Sequence, residues 1–429
     1  LDNVMVGRVG TLQMSGVAIA NQLIFVYNLA IFGAVSGAGI YGAQFAGARD
    51  WDGLRHSFRF KLLVAVVITA VGAAVMALWD SPLISLFLTG DGDAADAAAI
   101  LSYSRSYLAV MLFGLLPFSI SQCYSGTLRE TGETMLPMLA SIAAVLVNLT
   151  FNYFLIYGKC GFPELGVTGA AIATVLSRFV ELGIIVVWTH THHGKFHFMT
   201  GVYRSFKIGK ALAKSIAGKS IPLLANELFW SLGITTLVQM FSTRGLTVVA
   251  ALNISSTITN LFNVFFISMG TAVAVMVGQD LGADDIELAK KHVWKLIFFS
   301  VAVCVFIALV LIVAAGYIPA IYKTEADVRG LAAVFMRTSA LYMAFNAVSH
   351  CCYFTLRSGG KTFVTMLFDS VYTWVVCVPY TYLLVHYTAL EIGLLYPVAY
   401  LTDALKCVVG LLVVRTGYWA KNIVGKSQA

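Results

Sequence analysis

The sequence predicts an all-α, polytopic membrane protein with twelve transmembrane helices in two pseudo-symmetric six-helix lobes. Its 429 residues are 59% hydrophobic and 11% charged, with a mean hydropathy of +0.83, whereas a soluble domain carries about 25% charged residues. The hydrophobic residues form apolar segments that short polar turns separate, and each is long enough for a helix to cross a bilayer, about 20 residues. In addition, motifs of the first half of the chain return in the second half. These observations favour paired bundles of membrane helices over a soluble fold.

The predicted spans follow one another with short connections. The first apolar segment extends only to about residue 9, so we expect it to be the end of a helix whose upstream residues are missing. The other eleven segments predict helices at 12–42, 60–80, 101–126, 136–157, 164–189, 220–243, 247–277, 293–315, 330–355, 363–386 and 391–415.

Two motifs occur once in each half. The segment 127–134, Thr-Leu-Arg-Glu-Thr-Gly-Glu-Thr, returns at 355–362 as Thr-Leu-Arg-Ser-Gly-Gly-Lys-Thr, and 42–50 resembles 277–285. Because both repeats have nearly the same offset and the same predicted side, the halves are predicted to be parallel copies of six helices. In transporters built this way the substrate site lies between the copies. The predicted domains are an N-terminal lobe at 1–189 with a truncated first helix, a cytoplasmic linker at 190–219 and a C-terminal lobe at 220–429.

The net charge of +7 is assigned to the connections on one side of the membrane. By the positive-inside rule both termini are predicted to be cytoplasmic, and the protein is predicted to be integral to the plasma membrane, which in a bacterium is the inner membrane. The basic residues behind this orientation are Arg49, Arg55, Arg59, Lys61, Lys195, Arg204, Lys207, Lys210, Lys214, Lys219, Lys290, Lys291, Lys295, Arg357, Lys361, Lys421 and Lys426.

Histidines and cysteines suggest metal chemistry at first sight, but their surroundings argue against it. The histidines of the linker are interpreted as part of a solvated, lipid-facing loop. They are His190, His192, His193 and His197. The seven cysteines form no Cys-x-x-Cys pair and are interpreted as small core residues, without a zinc site or a disulfide framework.

Two asparagines interrupt an otherwise apolar span. Asn148 and Asn152 are four residues apart in the segment 138–157, so both amides are predicted to point to the same helix face. Polar side chains at this depth are costly and usually face a bundle interior or a watery cavity. The alternative interpretation is that the two amides only join helices through hydrogen bonds.

Together with four other motifs, these asparagines make the chain resemble the multidrug and toxic compound extrusion (MATE) family of cation-coupled exporters. The match covers essentially the whole chain, and the order and spacing of the motifs make it specific. They are Asp2-Asn-Val-Met-Val-Gly7, Gln44-x-x-Gly47-Ala-x-Asp50, Leu128-Arg129-x-x-Gly132, Asn148-x-x-x-Asn152 and Gly169-Ala-Ala-Ile-Ala-Thr174. The resemblance implies two six-helix lobes, alternating access, and export of amphipathic, often cationic compounds driven by entry of H⁺ or Na⁺.

The resemblance also implies a cation site in the N-terminal lobe. The family's positions correspond to Asp2, Asn148, Asn152 and Thr174 in this sequence. The chain departs from the family at Asn152, where relatives often have a carboxylate. Oxygen ligands of these four residues suit Na⁺, which one carboxylate would neutralise, but the same carboxylate is equally suited to carry H⁺. The sequence leaves the coupling ion open, and no other cofactor is expected.

A second set of polar residues is predicted in the C-terminal half, at Glu227, Asn346 and Asp369. One branch of the family binds a cation with a glutamate of the seventh helix and an aspartate of the tenth. Here Glu227 is displaced by about one turn, and Asn346 stands at the tenth-helix position. The alternative for Glu227 is a helix-end carboxylate that reaches the membrane interface.

Asp369 and Asp403 both lie within the last predicted spans, but they differ in their charged neighbours. Asp403 and Lys406 are three residues apart and are predicted to neutralise each other. Asp369 has no such neighbour in the sequence and is therefore predicted to line the cavity. Arg178 and Lys406 correspond by the repeat offset, and both are interpreted as marking cytoplasmic helix ends.

The sequence therefore predicts a transporter that is not an enzyme. Its expected partners are small amphipathic or cationic substrates and membrane lipids, without nucleic acid, and we expect a monomer. A flippase for lipid-linked saccharides remains an alternative, although few lysines or arginines fall inside the spans. A membrane enzyme is a weaker alternative because no nucleophile triad, phosphate loop or His-rich metal motif falls within the spans. A sensor would be expected to add a soluble domain.

Overall fold

The computed structural model describes residues 2–88, 94–192, 194–322 and 324–425. Within these ranges the regular structure is helical and no strand occurs. Eleven of the described helices are long and apolar enough to cross a membrane, and they coincide with the eleven complete predicted spans. The first predicted span corresponds to α1 (Asp2–Val6). The predicted fold class, an all-α polytopic membrane protein, is confirmed.

The chain divides into two compact units. Unit 1 comprises Leu1–Gly42 and Asp50–Ser220, and unit 2 comprises Ala43–Arg49 and Ile221–Ala429. The division after Ser220 falls at the end of the predicted linker, whose residues belong to unit 1.

Unit 1 contains six further helices, of which α2 ends in unit 2. They are α2 (Thr11–Gly47), α3 (Trp51–Leu78), α4 (Asp80–Ser85), α5 (Ala94–Glu130), α6 (Met135–Tyr157) and α7 (Gly166–Thr191). α6 and α7 form a hairpin, α7 packs on α5, and α1 packs on both α6 and α7. α6 ends because Gly158 adopts a left-handed conformation (φ 61°), which costs glycine little. This packing brings the start of the chain against the middle of the α6–α7 hairpin.

Unit 2 repeats the helical pattern. Its helices are α8 (Lys210–Ser242), which begins in unit 1, α9 (Leu246–Gly282), α10 (Ile286–Ile321), α11 (Ala326–Ser358), α12 (Thr362–Met366), α13 (Val378–Tyr387), α14 (Ile392–Ala399) and α15 (Leu401–Arg415). α11 is central and packs on α9, α10 and α15. α12 continues into α13 through two π-helical segments, Leu367–Val371 and Thr373–Cys377. The predicted span 363–386 is therefore one continuous helix, and its turns are wider where Asp369 lies.

The repeated segments 42–50 and 277–285 form the same turn. After α2, Arg49 adopts a left-handed conformation (φ 57°), and after α9, Asp284 does the same (φ 63°). The next residue then caps the following helix: the Asp50 carboxylate accepts a hydrogen bond from the Gly53 amide, and the Asp285 carboxylate accepts one from the amide three residues on, each at 2.9 Å. An aspartate in this position satisfies a free amide of the first helical turn. The repeated motif thus marks a tight turn between two consecutive helices.

The glycines of this repeat allow a reciprocal close approach within unit 2. A side chain on Gly47 would overlap the carbonyl of Gln279, and one on Gly282 would overlap the carbonyl of Gln44. The Gln44 side chain also donates to the carbonyl of Ser358 at 2.9 Å. The Gln-x-x-Gly spacing is therefore explained by two helix ends that meet at backbone distance.

The segment between α7 and α8 differs from the solvated loop that its charge predicts. Phe198, in a short 3₁₀ turn (His197–Met199), is only 1% exposed, and the Arg59 guanidinium donates to the carbonyl of Val202 at 2.7 Å. Phe198 packs edge-on against Phe58 of α3. Burial of these apolar side chains holds the segment against unit 1.

Three basic residues predicted in a connection, Arg55, Arg59 and Lys61, lie inside α3 instead. Arg59 holds the segment just described, and Lys61 is buried in an ion pair with Glu130 of α5, at 2.5 Å. Lys61 also donates to Thr127 at 2.9 Å. A buried ammonium needs such a full set of acceptors, so Lys61 and Arg59 join elements of unit 1 rather than marking a loop. Nearby, hydrogen bonding by Lys195 lowers the pKa of the Glu133 carboxyl from its usual value.

Candidate functional site

The carboxylate of Asp2 is held by donors from three helices. Thr174 of α7 and Tyr107 of α5 each donate a hydroxyl hydrogen bond to Oδ2 at 2.7 Å. The amide of Asn152 on α6 donates to Oδ1 at 2.9 Å. Charge-assisted hydrogen bonds of this kind are stronger than neutral ones, so α1 is fixed to the other three helices through a single acidic side chain.

Asn148 closes the arrangement into a ring. Its amide nitrogen donates to the Thr174 hydroxyl at 2.9 Å, and its carbonyl accepts from Asn152 at 3.1 Å. The two amides lie on one face of α6, as their spacing predicts. The structure therefore brings together Asp2, Asn148, Asn152 and Thr174, the four residues of the predicted cation site.

Tyr107 and Asn21 also belong to this cluster, and the sequence does not predict them. The Tyr107 hydroxyl lies 3.4 Å from the Asn21 side-chain oxygen. Asn21 carries the same signal as Asn148, because it is an amide within an apolar span. Tyr107 carries no such signal, since tyrosines are common in membrane helices.

The oxygen atoms of the ring form a donor set that suits a hard cation. Asn152 Oδ1 is buried and has no hydrogen-bond partner within the described part of the chain. A carboxylate, two amide oxygens and a hydroxyl are ligands that alkali and alkaline-earth ions accept. No cluster of three or more His, Cys, Asp or Glu residues of the kind that holds a transition metal occurs among the described residues.

A cavity of about 570 Å³ opens beside the ring. Its lining includes Asp2 and Glu181 as acidic groups and Phe118 as the largest apolar one. The remaining lining residues are small or polar: Asn21, Gln122, Ser141, Ala144, Val145, Asn148, Thr174 and Ser177. Such a cavity is polar enough to hold water and within the volume range of ligand sites.

Arg178 lies in the middle of α7 and not at the predicted helix end. Its guanidinium donates to the carbonyl of Gly114 at 3.2 Å and lies over the Phe118 ring, 5.0 Å from the centroid. The prediction was wrong. From sequence alone, a charged residue in a membrane helix is expected at the interface, but here a backbone carbonyl and an aromatic ring satisfy the guanidinium inside the unit.

In unit 2, Asp369 has an ionic partner that the sequence does not indicate. Lys406 donates to Asp369 Oδ1 at 2.6 Å, and both side chains are mostly buried, with exposures of 15% and 16%. Lys406 thus lies within the unit and pairs with Asp369 across two helices. The prediction that Lys406 marks a helix end was wrong. Asp369, which has no charged neighbour in the sequence, gains one because tertiary packing brings Lys406 to it. That Asp369 lines a cavity stays a prediction.

Glu227 joins the same network through polar intermediates. The Tyr353 hydroxyl donates to Glu227 Oε1 at 3.0 Å, and the amide of Asn226 donates to Asp369 at 2.9 Å and to Tyr353 at 3.2 Å. Glu227 is therefore a hydrogen-bonded interior residue, which disfavours the helix-end alternative. Asn346, the third predicted member, neighbours Asp403 instead.

The comparisons with known proteins agree on one kind of protein. The MatE family model matches residues 1–154 and 222–383. The chain is 25% identical to a probable multidrug resistance protein NorM of Thermotoga maritima, covering 99% of this chain and 89% of that protein. It is 24% identical to the probable multidrug resistance protein YoeA of Bacillus subtilis, covering 90% and 82%.

Solved structures show the same fold. A multidrug resistance MATE family transporter in an outward-facing conformation superposes with a TM-score of 0.85 at 20% identity, covering 97% of this chain and 90% of that one. A MATE transporter of Vibrio cholerae gives a TM-score of 0.85 at 18% identity, covering 98% and 92%. A transporter of the MOP superfamily from Pyrococcus furiosus gives 0.83 at 21% identity, covering 97% and 90%.

Proposed function

Because the chain belongs to the MatE family, we propose that it is an antiporter that exports amphipathic, often cationic organic compounds in exchange for H⁺ or Na⁺. The named relatives are multidrug resistance proteins, which supports this substrate class. No bond of the substrate is made or broken in such exchange, so the protein is not expected to act as an enzyme. We further propose a monomer in the plasma membrane with both termini cytoplasmic, in contact with membrane lipids.

The observation that carries the proposal is the closed ring around Asp2. Within the described residues Asp2 forms no ion pair, although it lies against three helices in a membrane-spanning unit. Arg178 acts on Asp2 electrostatically, but its guanidinium is engaged by the Gly114 carbonyl and the Phe118 ring. An intramembrane carboxylate without a direct ion pair is costly, and a mobile cation that neutralises it lowers that cost. A carboxylate held in this way is therefore a binding group for the coupling ion.

Each member of the ring has a role in holding the ion. Asp2 supplies the negative charge, and the oxygens of Asn148 and Asn152 complete the shell of a sodium ion. Thr174 donates to Asp2 in this structure, and its hydroxyl retains a lone pair with which to bind sodium. A proton would instead reside on one Asp2 oxygen, which would then become a donor toward one of its neighbours.

Ion binding drives transport only if it discriminates between conformations. A ligand shifts an equilibrium by its difference in affinity for the two states. The ring uses side chains of α1, α5, α6 and α7, so movement of any one of them changes the coordination. Cation and substrate would therefore favour different conformations, which is the requirement for exchange.

The alternatives gain no support from the site. The acidic residues Asp2 and Glu181 line the cavity, whereas a flippase for lipid-linked saccharides would need basic groups for the pyrophosphate. Of the basic residues inside the units, Arg178 is engaged by the Gly114 carbonyl and the Phe118 ring, and Lys406 is neutralised by Asp369. The described residues show no constellation for nucleophilic catalysis in the ring.

Transport in proteoliposomes tests the proposal. With a proton gradient and a sodium gradient imposed in separate experiments, we expect Asp2→Asn to lower gradient-driven efflux of a cationic dye at least tenfold. Asp52→Asn is the matched control, because it makes the same change on an exposed carboxylate of α3 and should transport like the wild type. Undiminished efflux by Asp2→Asn under both gradients would remove Asp2 from the mechanism.

A further inference from the structure

Glu181 of α7 is a second acidic residue beside the cavity, in addition to Asp2 of α1. Its carboxylate accepts a hydrogen bond from the Ser141 hydroxyl at 2.7 Å. Glu181 follows Thr174 by seven residues on α7, and Ser141 precedes Asn148 by seven residues on α6. Seven residues are two helical turns, or about 10 Å along the axis. The Ser141–Glu181 pair therefore repeats the Asn148–Thr174 pair two turns further along the hairpin.

The cavity beside Asp2 connects these two pairs. Asp2, Asn148 and Thr174 line one part of it, and Ser141 and Glu181 line another. Its volume of about 570 Å³ corresponds to on the order of twenty water molecules at roughly 30 Å³ each. Water and small cations therefore have room to move between the two carboxylates.

A second cavity continues from Glu181 toward the end of α5. It has a volume of about 220 Å³ and shares Gln122, Ser141 and Glu181 with the first. Its far lining includes Arg129 and Thr134, which lie at the connection between α5 and α6. Polar groups therefore line a route from Asp2 to the edge of unit 1, and Glu181 is the one acidic residue that borders both cavities among the residues described.

The charges around Glu181 balance it without enclosing it. Arg129 and Arg178 are its basic neighbours, but Arg178 is engaged with Gly114 and Phe118, and the Arg129 guanidinium donates to the carbonyl of Ser125 at 3.1 Å. The Glu181 carboxylate keeps its direct hydrogen bond to Ser141 and remains open to both cavities. A carboxylate that borders two cavities, and whose basic neighbours bind other groups, is one that a passing cation can visit and leave.

We propose that Glu181, together with Ser141, is a second binding position for the coupling cation, which passes through it between Asp2 and the edge of unit 1 at Arg129. This inference rests on the proposed function, in which Asp2 binds that cation. Glu181 conducts the ion and does not hold the substrate. Its removal therefore slows exchange without weakening substrate binding.

The test separates rate from affinity. In proteoliposomes we expect Glu181→Gln to lower the initial rate of gradient-driven dye efflux at least tenfold. The dissociation constant of the same dye, measured by fluorescence polarisation on the purified protein, should stay within twofold of the wild type. Glu181→Asp keeps the charge and should retain at least a third of the wild-type rate. A wild-type rate in Glu181→Gln would overturn the inference.

A purely structural role for Glu181 gives a different result. If Glu181 only neutralises Arg129, the double variant Glu181→Gln with Arg129→Gln should regain the wild-type rate, whereas an ion route predicts that it stays slow. If Glu181→Gln does not fold, Ser141→Ala is the substitute, with an expected three- to tenfold loss of rate and unchanged dye affinity; an unchanged rate would overturn the inference.

Failure of the inference and failure of the proposed function are distinguishable. If wild-type protein shows no efflux under either gradient, the proposed antiport is wrong. If the wild type exchanges and Asp2→Asn does not, but Glu181→Gln equals the wild type, antiport stands and only the second ion position is excluded.

Discussion

Asp2 receives hydrogen bonds from side chains that lie more than one hundred residues away in sequence, on α5, α6 and α7. Four of the ring's side chains could be predicted from the motifs, because the family resemblance assigns them by position. Tyr107 could not, because its role depends on how α5 rotates against α1, which no pattern in the sequence records. The ring is thus predictable in composition and not in its full hydrogen bonding.

Asn152→Asp tests how a second carboxylate beside Asp2 would change the ring. The Asn152 amide lies 2.9 Å from Asp2 Oδ1, so Asn152→Asp would place two carboxylates in contact, which repel unless a cation is shared. We expect the variant to lose about 1–3 kcal/mol of stability at pH 8 without sodium. Stability should return when sodium is added or when the pH is lowered to 6, as measured by thermal unfolding in detergent.

A matched substitution on the surface isolates the ion effect. Asn422 donates to Asp284 at 3.3 Å in an exposed position, so Asn422→Asp creates a similar acidic pair in water. We expect its stability to change by less than about 0.5 kcal/mol, with equal effects of sodium and potassium. The interpretation of the ring as a cation site would be contradicted if both variants responded alike.

In unit 2 the sequence identifies the acidic residues but not their partners. Glu227 and Asp369 stand out as carboxylates in apolar spans, and the structure joins them through Asn226 and Tyr353. Lys406 is three residues from Asp403 yet pairs with Asp369. A helix brings residues three apart to one face, but the packing of the π-helical segment on α15 decides which acid the ammonium reaches.

Among the secondary-structure elements, hydropathy predicts the existence of the helices better than their ends. α2 extends five residues beyond its predicted end at 42, and α10 begins seven residues before its predicted start at 293. The apolar run shows only the part of a helix that lies in hydrocarbon. Its polar ends continue as helix into the turns, where the caps at Asp50 and Asp285 define the boundary.

Docking of the segment between α7 and α8 is expected to depend on Phe198. Phe198→Ala removes an almost completely buried ring from its contact with Phe58, a change that costs about 3–5 kcal/mol in a core. We expect trypsin to cleave at Arg204 and Lys207 at least tenfold faster in this variant. Phe206→Ala is the control, because Phe206 is exposed. Equal cleavage rates in the two variants would show that the segment is held by other contacts.

At the scale of the whole molecule the two units differ in charge although their sequences repeat. Unit 1 has the carboxylate of Asp2 without an ion pair among its described residues, whereas the acidic cluster of unit 2 includes the fixed ammonium of Lys406. A direct ion pair satisfies an acid permanently, whereas a carboxylate without one leaves a position for a mobile ion. Duplication therefore explains the shared helix order and turns, while the ionic function is proposed for unit 1 alone.

The orientation of the whole chain can be measured with its own cysteines. Of the seven, Cys160 in the connection between α6 and α7 is exposed and the other six are buried. The positive-inside rule places this connection outside and the basic segment near Lys207 inside. A membrane-impermeant maleimide should therefore label wild-type protein in intact cells, and Cys160→Ser should abolish the label. Lys207→Cys in the Cys160→Ser background should react only after the membrane is opened, and labelling in the reverse pattern would invert the proposed topology.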